Sequence, residues 1–255
     1  MEKFGKSQSV KRTEDVRFLT GEGRYVDDIA PKDALVGYVL RSSVAHGEIT
    51  NLDVSDAREA DGVHLLLTAQ DLEAEGVKLG MQGSVLKNRD GSHAAAPERL
   101  LLARSRVRFV GEPVAMIFAD TLQQAKDAAE LIELDVNDLP VHLEVATGGD
   151  EIHSEAPDNR AFDWGLGDEA AFASAFESAA HRITCEIEDN RVIANSMEPR
   201  GCYAVWDGER VHLAVNGQGV WAPKAQLARH LGLEAENVRV TNPDTGGGFG
   251  MKAMM

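Results

Sequence analysis

The residues best placed to do chemistry lie in two short stretches, D-T-G-G-G-F-G-M-K (Asp244–Lys252) and N-G-Q-G (Asn216–Gly219). A run of glycines lets bare backbone amides approach a ligand, because no Cβ stands in the way. A glutamine beside such a run adds an uncharged side-chain donor. Gln218 together with Gly246–Gly250 would make a donor-rich site suited to the oxo or phosphate oxygens of a bulky anionic cofactor.

The familiar alternatives fail on spacing. A P-loop needs Lys followed by Ser or Thr, whereas Lys252 is followed by Ala253. A dinucleotide fingerprint needs a third glycine where Met251 stands. No G-x-S-x-G elbow occurs. The histidines are dispersed, without an H-x-H or H-E-x-x-H pair, so no metal is expected to be held directly by this chain's side chains. His46 and His230 are expected at the surface or as caps. Cys185 and Cys202, in no C-x-x-C, are expected to be buried structural thiols. Glu112 in G-E-P and Glu198 in M-E-P have the chemistry of general bases, but carboxylates in such turns more commonly bond nearby amides.

Composition narrows the partners. The 255 residues carry a formal charge of -16, which argues against nucleic acid, whose phosphates need a basic face, and against anionic membrane surfaces. No run approaches eighteen apolar residues, and residues 1–12 lack the apolar core of a signal peptide, so a cytoplasmic location is expected.

These residues need elements to hold them. R-V-H-L-A-V (210–215) alternates as a strand, and N-V-R-V-T-N (237–242) reads as a second. Between them Pro223 starts a helix that Gly232 ends. A strand–helix–strand unit of this length favours parallel strands, whose exit loops open on one sheet edge. That would place Gln218 beside the glycine loop.

Upstream, short strands are expected at G-Y-V-L-R-S-S, I-T-N-L-D-V, G-V-H-L-L-L-T, 107–119 and E-L-D-V. A helical turn is expected near Asp56–Ala60, and a helix capped by Thr121 buries Leu122, Ala125, Ala129 and Ile132. Residues 76–98 read as a surface excursion. A helix capped by Asp168 carries a stripe of Phe172, Ala175, Phe176 and Ala179, expected in the core, and R-I-T-C-E-I-E follows as a strand. Strands mixed with single helices give an α+β fold. The expected divisions are a polar lead-in over 1–19, a first domain over 20–140, a polar linker over 141–160 and a second domain over 161–255. First proteolysis is expected within 147–160.

Six stretches together carry a resemblance: R-T-E-D-V-R-F-L-T-G-E-G-R-Y-V-D-D-I, L-R-S-S-V-A-H-G-E-I, V-R-F-V-G-E-P-V-A-M-I-F-A-D-T, A-N-S-M-E-P-R-G-C-Y-A-V-W, N-G-Q-G and D-T-G-G-G-F-G-M-K. In this order over most of the chain, they resemble the N-terminal part of the large subunit of the xanthine dehydrogenase, aldehyde oxidase and aerobic carbon monoxide dehydrogenase family. The resemblance implies an α/β hammerhead domain over 20–140 and an incomplete molybdopterin-binding domain over 161–255. It implies that Gln218 hydrogen-bonds an oxo ligand of molybdenum, and that Gly247, Gly248, Phe249 and Gly250 bind the cofactor through backbone amides.

The cofactor so implied is molybdopterin, in its cytosine dinucleotide form, with molybdenum. Iron–sulfur clusters and FAD would sit on partner subunits. The implied reaction hydroxylates an aldehyde, an N-heterocycle or carbon monoxide with water as oxygen donor. The catalytic glutamate is expected downstream of the glycine loop. The chain is thus expected to be about a third of a subunit, inactive alone, completed by a C-terminal large-subunit chain and served by iron–sulfur and FAD subunits. The alternative is a truncated, non-catalytic fragment. In either case residues 210–255 are expected to be the least protected ordered region.

Overall fold

The computed structural model describes residues 9–81, 86–190 and 192–253. The start of the expected lead-in, part of the 76–98 excursion and the final two methionines lie outside the described residues.

In chain order the helices are α1 (Asp15–Leu19), α2 (Val26–Ile29), α3 (Ser55–Arg58), α4 (Ala69–Ala74), α5 (Leu122–Glu130), α6 (Glu169–Ser178) and α7 (Trp221–Leu231). The strands are β1 (Val36–Arg41), β2 (Gly47–Asp53), β3 (Val63–Thr68), β4 (Gly80–Met81), β5 (Arg99–Leu100) and β6 (Arg106–Val107). They continue with β7 (Pro113–Ala119), β8 (Glu133–Asp138), β9 (Cys202–Trp206), β10 (Val211–Val215) and β11 (Val238–Thr241). Two compact units divide the chain. One holds 33–190 and 229–232, and the other holds the residues up to Lys32, Val192–Ala228 and those from Leu233 onward.

The first unit is built on β7. P-V-A-M-I-F-A alternates, so Ala115, Ile117 and Ala119 point to one face and Val114 to the other. The first set packs with Leu66 against Ala125, Ala128 and Ala129 of α5. Val114 joins Ala103 and Val107, with Val136 and Leu134 beside them. One strand thereby serves two apolar clusters, and each large side chain fully buried there contributes about 2 kcal/mol. β7 lies between β1 and β3, antiparallel to both. β2 lies between β6 and β8, again antiparallel. The α5 cap is the expected one, with Thr121 Oγ1 accepting from the Gln124 amide at 3.2 Å. Leu122 is 46% exposed, however; the buried face runs through the alanines, whose small side chains let helix and sheet approach closely.

Several other expectations give way. His46 is buried at 3% exposure, because its Nδ1–H finds the Pro140 carbonyl at 2.7 Å. His230 is buried as well. Helix α6 is capped by Asp168 as expected, yet none of its residues is buried; Phe172 stacks on Phe176, and the Arg182 guanidinium covers the Phe176 ring. No ladder among the described residues includes 182–188, since no neighbouring strand offers the hydrogen bonds that segment would need. Cys185 and Cys202 are both exposed, one on that unpaired segment and the other on edge strand β9.

The second unit carries the sheet β11–β10–β9. β10 pairs in parallel with β11, as the strand–helix–strand reading requires, and antiparallel with β9. Helix α7 begins two residues ahead of Pro223, which sits in the first turn, where a missing N–H costs nothing. It ends before Gly232, with the Leu233 amide donating to the Ala228 carbonyl at 2.9 Å.

Candidate functional site

The exits of β10 and β11 meet, because parallel neighbours leave a sheet on the same edge. Asn216 and Gln218 follow β10, and Asp244–Lys252 follow β11. Asn242 Nδ2 donates to the Gly217 carbonyl at 2.7 Å and holds the two exits together.

Gln218 lies directly against the glycine loop. Its Oε1 accepts from the Gly250 amide at 2.8 Å and from the Lys252 amide at 3.3 Å. The Gln218 backbone amide donates to the Lys252 carbonyl at 3.2 Å. Two N–H donors on one end of the side chain identify that end as oxygen, and Nε2 has no acceptor among the described residues. Gly248 makes this approach feasible: a Cβ there would stand 2.8 Å from Cγ, Cδ and Oε1 of Gln218.

The loop presents further donors. Among the described residues, the amides of Gly247, Gly248 and Phe249 have no acceptor within the chain. Phe249 adopts φ 50° and is 74% exposed. A non-glycine residue held in the left-handed region costs about 1 kcal/mol or more, and such strain clusters at functional sites. Gln218, Gly247, Gly248, Phe249 and Gly250 are therefore brought together, and three of their amides lack an acceptor among the described residues. This donor set fits an oxygen-rich anionic cofactor. Among the described residues no group of three or more His, Cys, Asp or Glu could hold a metal ion.

Three supports of the loop escape sequence reasoning. The first is Asp244, whose carboxylate is ion-paired with Arg17 and accepts from the Arg24 amide at 2.9 Å. Arg17 and then the Arg24 amide hold that carboxyl below the ordinary aspartate range, against a smaller opposing effect of burial. The expected lead-in thus contributes Arg17, on α1, to the loop's first turn.

The second is Glu198. Its Oε2 accepts from the Gly246 amide at 2.7 Å and from Lys252 Nζ at 3.0 Å. Burial pushes this carboxyl up, but the Gly246 amide, the Asn216 side chain and the Lys252 ammonium outweigh it and leave it below its ordinary value. Glu198 therefore bonds amides rather than standing free as a base, although its partner amide is distant in sequence. Glu112 bonds locally, accepting from the Arg108 amide at 2.5 Å. The third support is Lys252 itself, 1% exposed. Its place two residues after the last glycine of the loop is the sequence signal for it, but burial and pairing with Glu198 depend on a partner 54 residues away.

Comparison with known proteins gives these loops a context. Residues 20–140 match the family described as "Aldehyde oxidase and xanthine dehydrogenase, a/b hammerhead domain", and residues 152–255 match "Molybdopterin cofactor-binding domain". The nicotine 6-hydroxylase large subunit of Paenarthrobacter nicotinovorans is 38% identical over 252 residues, 96% of this chain and 30% of that protein. The carbon monoxide dehydrogenase large chain of Hydrogenophaga pseudoflava is 30% identical, over 94% of this chain and 31% of its own length. The solved quinoline 2-oxidoreductase of Pseudomonas putida 86 superposes with a TM-score of 0.75 at 32% identity, covering 96% of this chain and 31% of that one. A Cu,Mo-CO dehydrogenase superposes at 0.80 with 28% identity, covering 97% and 32%. The chain spans about a third of the length of the relatives it matches. With its hammerhead domain and the start of a molybdopterin-binding domain, the chain belongs to the molybdenum hydroxylase large-subunit family of xanthine dehydrogenases, aldehyde oxidases and carbon monoxide dehydrogenases.

Proposed function

We propose that this chain supplies one wall of the molybdenum-cofactor site of a hydroxylase and needs further chains to complete it. The observation that carries the reading is Gln218, whose Oε1 is fixed by two loop amides; among the described residues its Nε2 and the amides of Gly247, Gly248 and Phe249 have no acceptor. In this reading Gln218 binds an oxo group and the loop amides bind the cofactor's anionic face. A bound molybdenum cofactor supplies two-electron oxidation of a substrate carbon, with water as the oxygen source. The chain's own residues orient that group: neutral donors hold negative oxygens without adding a charge that titrates.

In the same proposal the cofactor is molybdopterin cytosine dinucleotide. The substrate is an aldehyde, an N-heterocycle or carbon monoxide. A C-terminal large-subunit chain provides the catalytic glutamate, and iron–sulfur and FAD subunits carry electrons away. The working divisions are 20–140, a linker over 141–160, and 161–255, in a cytoplasmic protein. No described helix is long and apolar enough to cross a membrane.

A second reading, a folded but non-catalytic fragment, is favoured by the openness of the cradle: Gln218, Phe249 and Gly250 are exposed, and nothing described covers them. Co-expression separates the two. The chain alone is expected to retain little molybdenum and no hydroxylase activity. With a companion polypeptide carrying the rest of a large subunit, and with iron–sulfur and FAD subunits, it should retain both, and Q218A should weaken molybdenum retention. Stoichiometric molybdenum on the lone chain would overturn the need for a complement. A colourless, metal-free product from the full co-expression would favour the fragment.

A further inference from the structure

Lysine is almost never fully buried without a partner, since an unpaired charge in the interior costs several kcal/mol. Lys252 is 1% exposed, and its side chain is wholly enclosed. Its ammonium meets one carboxylate oxygen, Glu198 Oε2, at 3.0 Å. The same oxygen accepts from the Gly246 amide, while the Glu198 amide donates back to the Gly246 carbonyl at 3.3 Å. Both ends of the glycine loop are therefore tied to one residue of the M-E-P turn.

That turn is itself anchored. Ser196 Oγ donates to the Glu198 carbonyl at 2.7 Å. Asn216, 1% exposed, donates through Nδ2 to the Pro199 carbonyl at 2.7 Å and accepts at Oδ1 from the Gly201 amide at 3.0 Å. The backbone of Lys252 in turn bonds Gln218 in both directions. A displacement of Lys252 must move Gln218.

We infer that Lys252 and Glu198 are positioning residues for the cradle: their buried ion pair clamps the glycine loop and sets the orientation of Gln218. The inference rests on the reading of Gln218 and the loop as a cofactor site, but its geometry belongs to the chain alone. Each acts through the loop amides or through the Gln218 side chain. Lys252 is the ionisable group that faces Glu198; its other neighbours there are the Gly246 amide and Asn216.

Residue-resolved amide exchange on the full chain without cofactor, corrected for intrinsic exchange and followed from neutral pH to below the ordinary glutamate value, tests the clamp. In the wild type the Gly246 and Gly250 amides should be protected at neutral pH. Glu198 has a lowered carboxyl, so its contribution is complete above the ordinary glutamate value and is lost as pH falls through the folded one; loop protection should fall there too. In K252M the same two amides should exchange about tenfold faster or more at neutral pH, the scale of one charge-assisted hydrogen bond, while β10 and β11 amides stay unchanged. In E198Q/K252M, which leaves no unpaired charge, the acid dependence should shrink to the part that the Asp244–Arg17 pair contributes. Wild-type loop exchange in K252M, or undiminished acid dependence in the double variant, would overturn the clamp. Should K252M fail to fold, the double variant carries the comparison. Because no cofactor is present, this result is independent of the molybdenum assay, which decides the cofactor reading.

Discussion

Gly248 has no room for a side chain, since its Cβ would overlap the end of Gln218 at 2.8 Å. An alanine there must push Gln218 aside and break the bonds from Gly250 and Lys252 to Oε1. G248A should therefore destabilise the chain by about 1 kcal/mol or more, and Q218A by a comparable amount. Because the two residues share one contact, the double variant should cost less than the sum by about 0.5 kcal/mol or more. Urea unfolding of the four proteins measures this coupling, and strict additivity would show that the contact is not formed. Gly250 provides the contrast: nothing lies near its Cβ position, so a substitution there meets only the strain of φ +86°.

At the level of elements, α5 and α6 have the same kind of cap and opposite fates. Thr121 and Asp168 each accept from an amide three residues on. Helix α5 buries three alanines against a sheet, whereas α6 buries nothing. Most helical stability comes from packing, and an isolated helix of about ten residues is marginal in water. T121A should thus lower global stability by about 1 kcal/mol. D168A should reduce helical circular dichroism while leaving the cooperative unfolding midpoint in place. A shift of that midpoint by D168A as large as that of T121A would mean that α6 packs on something in solution.

For the whole molecule, the distribution of exposure replaces one expectation with another. Every described residue from Trp164 to Asn195 is exposed, including Phe172, Ile183, Ile187, Val192 and Ile193. Residues 210–255, by contrast, bury Ala214, Val215, Val238 and Lys252. The stretch 148–159 is also tied down, since Asn159 accepts from the Ile152 amide and donates to the carbonyls of Gly148 and Asp150. Limited proteolysis should cut first within 180–195 rather than 147–160, and amide exchange should be fastest there rather than at the C-terminus. A companion large-subunit polypeptide should protect 164–195 while leaving β7 and α5 unchanged. First cleavage within 147–160 would show that the Asn159 bonds do not hold that loop.

The sequence alone determined whatever is encoded locally or by spacing. Short apolar, β-rich runs marked β1, β2, β3, β7, β8 and β11, alternation marked β10, side-chain oxygens marked the caps of α5 and α6, and the order of β10, α7 and β11 brought Gln218 to the glycine loop. These signals are legible because one strand's period or one turn's hydrogen bond involves residues close in the chain. What only tertiary structure decided depends on partners far apart in sequence. Arg17 finds Asp244, Glu198 finds both Gly246 and Lys252, and His46 finds a carbonyl that permits its burial. Burial likewise divided the apolar stripes, enclosing that of α5 and leaving that of α6 in solvent, because a periodic face specifies that a helix can pack but not that another surface is there to meet it.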